Sequence, residues 1–157
     1  MDFTVSPIGH IQADEQGFSL CIDEPFRAGL EALQGFSHLQ VLCWFDRCDT
    51  PEARRILTVP SPYKGAPAQI GIFATRSPAR PNPIALCTVQ ALSTPGAQGI
   101  IPIAYTDALD GTPILDIKPY TPSLDRVENP QVPAWCKDWP KSLEASADFD
   151  WEGVFNF

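Results

Sequence analysis

Seventeen prolines in 157 residues constrain this chain more than any other feature. Each fixes φ and removes a backbone donor, so short strands and turns are favoured over long helices. The length fits one domain with a real core. A hydrophobic fraction of 44% and a charged fraction of 19% are ordinary for a soluble globular protein.

Periodicity places the elements. Residues 3–12 and 17–22 alternate loosely and predict strands joined by the polar turn ADEQ. Phe26, Leu30 and Leu33 fall near helical spacing, closed by Gly35, which predicts a short helix over 25–36. HLQVLCWF (38–45) predicts a buried central strand. Residues 46–68 are a polar, proline-punctuated excursion in which PEARRIL predicts a helical turn. Further strands are expected over 69–75, 84–92, 100–109 and 112–120. The fold class is mainly β, with six or seven strands and one or two short helices. The tail, 123–157, is acidic and rich in Trp and Phe, and is expected to strap onto the main domain (1–122) or onto a second subunit.

No run approaches the ~18 apolar residues of a membrane span. The opening MDFTVSPIGH has neither a basic start nor an apolar run, so no secretory signal and a cytoplasmic setting are expected. Five scattered cysteines (21, 43, 48, 87, 136) lack C-x-x-C spacing and paired histidines; reduced thiols are expected, and no metal.

A net charge of −8 argues against nucleic acid until its distribution is read. Residues 1–46 carry net −6, whereas residues 47–80 hold six of the eleven bases and carry net +4. A phosphate footprint needs a local cluster of this kind rather than a basic average. A solvated loop balancing acids elsewhere is the alternative.

Two segments carry chemistry. In GIFATRSPARPNPIAL (71–86), three prolines stiffen a loop bearing Arg76, Arg80, Asn82 and two hydroxyls. Rigid fork-shaped donors suit planar anions and nucleotide edges, or they cap carbonyls within a tight turn. In AYTDALDGTPILDIKPY (104–120), Asp116, Lys118 and Tyr120 follow at period two and share one face of a strand. That trio is either a site or a surface ion pair. His38 opens the central strand and reads as a hydrogen-bonded structural histidine.

These segments resemble the TrmO (TsaA-like, YaeB-like) family, whose hallmarks are FATRS…RPNPI and LDGTP.LDIKPY. Pro7-Ile8-Gly9, Gly29-Leu30-Glu31 and Phe36-Ser37-His38-Leu39 add to the match, which covers residues 7 to about 122. Three features depart from the pattern. The segment after Gly9 lacks the family's Arg-Ser-Pro and Pro-Arg-Gln, Asp46 stands in place of a histidine, and Ala85 in place of a glycine.

The resemblance implies a compact antiparallel β-barrel, usually a homodimer, binding S-adenosyl-L-methionine outside a Rossmann fold. By motif position, cofactor contacts fall on Phe45, Asp46, Arg76, Leu86, Tyr105, Thr106, Asp107 and Ala108. The implied reaction is methylation of N6 of threonylcarbamoyl adenosine beside the tRNA anticodon. A carboxylate near the N6 proton suits that chemistry, with Asp110 the first candidate and Asp116 the second. Arg80, Asn82 and Lys118 would meet anionic groups of the substrate, and Tyr120 or Phe45 would stack its base. A methyltransferase with another acceptor, and a non-catalytic domain binding S-adenosylmethionine or a nucleotide, are the alternatives.

Overall fold

The computed structural model describes residues 3–157. Six strands form one antiparallel sheet: β1 (Gly9–Asp14), β2 (Gly17–Ile22), β3 (His38–Trp44), β6 (Ile84–Gln90), β7 (Ile100–Ile103) and β8 (Pro113–Pro119). Their order is β6-β3-β8-β1-β2-β7. A separate two-stranded ribbon pairs β4 (Thr58–Pro60) with β5 (Gln69–Gly71).

Every strand of the large sheet sends side chains into one core. Ile11, Leu20, Leu39, Ile101 and Ile114 are each 0–1% exposed. Val41, Cys43, Ala85 and Val89 complete the β3 and β6 contributions. In β3 the burial alternates strictly, so this central strand has a wet outer face rather than the two buried faces its sequence suggests.

The two edge strands meet just beyond β6. Ala91 bridges Ile103, and Leu92 N–H and Ala104 N–H donate to the Pro102 and Gln90 carbonyls at 2.9 Å each. This is a bridge rather than a ladder, so the architecture established is an antiparallel sheet and not a continuously paired barrel.

Local chemistry explains where strands begin and end. Gly9 lies so close to β2 that a Cβ would sit 2.0 Å from the Cys21 carbonyl oxygen, and only glycine permits this approach. On β8 a bulge opposite Leu42 and Cys43 leaves Leu115 unpaired. The extra residue reverses the alternation, so Ile114 points into the core while Asp116 points out. Three expected strands are shorter than read. The first starts at Gly9, the strand expected over 69–75 yields to a 3₁₀ turn at Ile72–Ala74, and the one expected over 100–109 stops at Ile103. The expected helix over 25–36 is a 3₁₀ segment, Glu24–Leu30, and PEARRIL gives a single 3₁₀ turn, Ala53–Arg55.

The tail folds back on the excursion. Phe155 bridges Tyr63, Lys64 N–H donates to the Val154 carbonyl at 2.9 Å, and Asn156 N–H donates to the Pro62 carbonyl at 2.9 Å. Trp135 stacks on the Tyr63 ring at 5.1 Å, and Trp139 meets it edge-on. Trp139 in turn meets Trp151, which contacts Phe149. The excursion thereby gains a small aromatic core of its own.

Candidate functional site

The arginine-bearing turn is held from within. Ile72 is fully buried and anchors its entry. The buried Thr75 hydroxyl donates to the Ile72 carbonyl at 2.8 Å and accepts from Ser77 N–H at 3.2 Å. Arg80 Nη1 donates to the carbonyls of Thr75 and Ser77 at 3.3 and 3.4 Å, so this guanidinium caps the turn it stands in. Arg76 instead reaches out, its exposed side chain donating from Nη1 to the Leu86 carbonyl at 3.1 Å. Phe45 N–H donates to the Pro83 carbonyl at 2.8 Å, stitching the end of β3 to the turn. Asn82 is exposed.

The loop between β7 and β8 approaches from the other side. Tyr105 is 66% exposed, its ring edge-on to Phe18 at 5.5 Å. Thr106 is buried and accepts from Ala108 N–H at 3.2 Å, while Ala108 packs on the core. At the LDG turn, Gly111 has φ of 80° and donates to the Ile11 carbonyl at 2.8 Å. Asp110 Oδ1 accepts from Ala13 N–H at 2.9 Å, and its main-chain carbonyl accepts from Arg47 Nη2 at 3.1 Å. Asp110 is thus fastened to β1 and to the residue beyond Asp46, with Oδ2 unpartnered among the described residues.

The charges of both loops reach the cysteines of β3 and β6. Burial raises the Cys87 thiol pKa, Asp107 raises it further and Arg76 opposes both. Burial, with Cys87 and Asp107, pushes the Cys43 thiol up to about 12. Arg76 and Asp107 thus both act electrostatically on Cys87, which lies mid-strand on β6 opposite Val41 with its side chain toward the core, whereas the neighbouring Leu86 faces outward. Leu86 is 47% exposed, an apolar side chain offered outward among charges.

The β8 segment lies on the neighbouring part of the same face. Asp116 pairs Lys118 at 2.6 Å and accepts from Ile117 N–H at 2.9 Å, so both its oxygens are engaged. Tyr120 lies edge-on to His38 at 6.3 Å, and His38 Nδ1 shares a hydrogen bond with Ser37 Oγ. Leu42 is the cross-strand partner of Leu86 on one side and of Asp116 on the other. The two segments share an outer face at two strand spacings, about 10 Å, with no hydrogen bond joining them among the described residues.

Arg47, Asp49 and Arg54 carry no individual signal in the sequence. The basic excursion is visible there, but an aspartate five residues before an arginine in a turn-rich stretch has no periodic signature. Trp44 lies in the strand expected to be buried, yet its indole Nε1 donates to Asp49 at 3.0 Å on the outer face. Among the described residues no group of three His, Cys, Asp or Glu side chains is placed to hold a metal, and no helix is long and apolar enough to cross a membrane.

These features define an antiparallel β protein with no βαβ unit among the described residues. The tRNA-methyltransferase O N-terminal domain family matches residues 4–126, and the chain belongs to that family. A relative from Archaeoglobus fulgidus, named "Probable S-adenosyl-L-methionine-binding protein", is 41% identical over 113 residues, which is 72% of this chain and 28% of that protein. The Escherichia coli tRNA (adenine(37)-N6)-methyltransferase is 40% identical over 95 residues, 59% of this chain and 40% of the enzyme. The crystal structure of TrmO from Pseudomonas aeruginosa superposes with a TM-score of 0.63 at 29% identity, covering 83% of this chain and 62% of that one. The chain thus spans less than two thirds of each of these three proteins.

Proposed function

We propose that this chain binds S-adenosylmethionine where β3 ends and β6 begins and transfers its methyl group to N6 of threonylcarbamoyl adenosine beside the tRNA anticodon. The observation that carries the reading is the anchoring of Arg76 on the Leu86 carbonyl, which stands an exposed guanidinium beside an exposed apolar side chain of β6.

The residues fit the group. S-adenosylmethionine presents an adenine, a ribose, a sulfonium and an amino acid end. Arg76 keeps Nε and Nη2 without a protein partner among the described residues, enough for a carboxylate. Asp107 and Asp46 are exposed acids suited to an ammonium or ribose hydroxyls, and Phe45, Leu86 and Tyr105 supply apolar surface for the purine. When bound, the cofactor supplies an electrophilic methyl, and alignment of the acceptor supplies much of the rate. Asp110, with one oxygen held by Ala13 N–H and the other open, is the residue we assign to the N6 proton. Asp116 is committed to Lys118 and is assigned to hold that ammonium toward substrate anions, with Arg80, Asn82 and Tyr120 bordering the acceptor.

Phe73, 76% exposed beside the turn, and Tyr105 support a second copy covering this face, hence a homodimer. The Ala91–Ile103 bridge supports a rolled, barrel-like sheet. The acidic, aromatic tail is assigned a structural role on the excursion.

A methyltransferase with another acceptor is the second reading. It is favoured by one observation: Arg47, Arg54, Arg76 and Arg80 already donate to protein groups, which leaves fewer open bases for a phosphate footprint. Calorimetry with S-adenosylmethionine tests what both readings share. A single saturable site is expected, and no heat at millimolar cofactor would remove both.

A further inference from the structure

Arg54 stands in the basic excursion, yet each nitrogen of its guanidinium has a protein partner. Nε and Nη2 grip the two carboxylate oxygens of Asp49, the latter at 3.1 Å, and Nη1 donates to the Pro81 carbonyl at 3.4 Å. The guanidinium carbon lies 5.4 Å from the centre of the Trp44 ring. Trp44 Nε1 donates to the same Asp49 carboxylate at 3.0 Å, so cation, anion and indole lock one another. The hydrogen bond from Arg54, with Trp44 adding to it, holds the Asp49 carboxyl below its usual range.

What this cluster holds is the turn at 80–83. That turn has two external anchors: the Pro81 carbonyl on Arg54, and the Pro83 carbonyl on Phe45 N–H at 2.8 Å. Asn82 lies between them, exposed. Its own carbonyl accepts from Ile84 N–H at 2.7 Å, which tightens the return into β6. A residue between two fixed carbonyls, flanked by prolines, has little freedom left in its backbone.

We propose that Arg54 is a positioning residue which, with Asp49 and Trp44, clamps the Arg80–Pro83 turn onto β3 and presents Asn82 at a fixed place on the acceptor side of the site. The acceptor depends on the methyltransferase reading; the clamp does not. Lysine is no substitute, because one ammonium cannot grip two carboxylate oxygens, lie over an indole and reach Pro81 at once. With its charge matched by Asp49 and each of its three nitrogens already engaged, Arg54 is a poor member of a phosphate footprint.

The test uses the full chain and four variants: Arg54→Ala, Arg54→Lys, Asp49→Asn and Arg55→Ala, the last an equal charge loss one residue on. Deuterium exchange over residues 76–86 reads the clamp alone. It is expected to rise about tenfold in the first three variants and to stay unchanged in Arg55→Ala, as for loss of one or two hydrogen bonds. Unchanged exchange in Arg54→Ala, or wild-type exchange in Arg54→Lys, would overturn the clamp. Methyl transfer from labelled S-adenosylmethionine to tRNA reads the consequence. The kcat of both Arg54 variants is expected to fall at least about tenfold with cofactor affinity within about twofold. In an Asn82→Ala background the Arg54 change is expected to cost less than about twofold, and a full additive loss would overturn the link to Asn82. If wild-type protein transfers no methyl while the exchange pattern holds, the functional reading fails and the clamp stands.

Discussion

Leu86 and Asp116 stand on one row of the sheet, separated by Leu42 alone. This row joins the two motif-bearing segments. The arginine turn is tied to Leu86 through Arg76, and Asp116 begins the Asp-Lys-Tyr face. A ligand lying across β6, β3 and β8 meets both, at the scale of a nucleotide rather than a single small ion.

Arg76→Ala is expected to weaken S-adenosylmethionine binding at least tenfold, roughly the effect of losing a charge-assisted hydrogen bond. Calorimetry checks it. Retained affinity would move the cofactor's carboxylate elsewhere.

Asp110→Asn keeps an oxygen for Ala13 N–H but loses basicity. Methyl transfer is expected to fall about 10²–10⁴-fold with cofactor affinity unchanged. Asp116→Asn is expected to cost less than about tenfold, as only its pairing with Lys118 changes. Single-turnover rates separate the two, and a larger loss in Asp116→Asn would reverse their roles.

The Cys43 thiol gives stability a defined dependence on alkaline pH. Burial raises its pKa from an ordinary 9.0 to about 12, so the fold stabilises the neutral thiol. Below pH 9 both folded and unfolded chains hold the proton and this contribution is fully present. Between about 9 and 12 the unfolded chain releases the proton first, so stability falls as pH rises. Tm measured across that window is expected to drop, and the slope to lessen in Cys43→Ala. A slope unaffected by that change would assign the effect to other groups.

Trp139→Ala removes a ring that contacts Tyr63, Trp135 and Trp151. Local stability of the tail is expected to fall by about 2 kcal/mol, less than for a fully buried tryptophan. Limited proteolysis within residues 127–157 is expected to accelerate while the amides of β3 and β8 stay protected. Equal loosening of β3 would mean that the tail supports the main core directly.

Much of this was legible in the residues, for physical reasons. β3 announces itself as an unbroken β-rich apolar run, though its wet outer face does not. β8 does so through the period-two spacing of Asp116, Lys118 and Tyr120, and the RSPARPNP turn because proline and arginine in such density have few other uses. The bulge at Leu115 was not legible. It depends on the pairing with Leu42 and Cys43, and no local residue type requires it. Asp116 was correctly grouped with Lys118, but only coordinates distinguish a carboxylate spent on an ammonium from one open to a substrate. Asp110 shows the converse, since its tether to Ala13 spans 97 residues of sequence. The Trp44–Asp49–Arg54 cluster was hidden for the same reason: an indole, a carboxylate and a guanidinium meet where a strand gives way to turns. The tail's aromatics signalled that they pack, while their partner, Tyr63, lay in a stretch dominated by its charge.

The most direct measurement is transfer of a labelled methyl group from S-adenosylmethionine to tRNA that carries threonylcarbamoyl adenosine, compared with tRNA lacking it. Label is expected on the modified adenosine with wild-type protein, and is expected to be lost in Arg76→Ala and Asp110→Asn. Tight cofactor binding with no label in either tRNA would contradict a methyltransferase acting on that nucleoside.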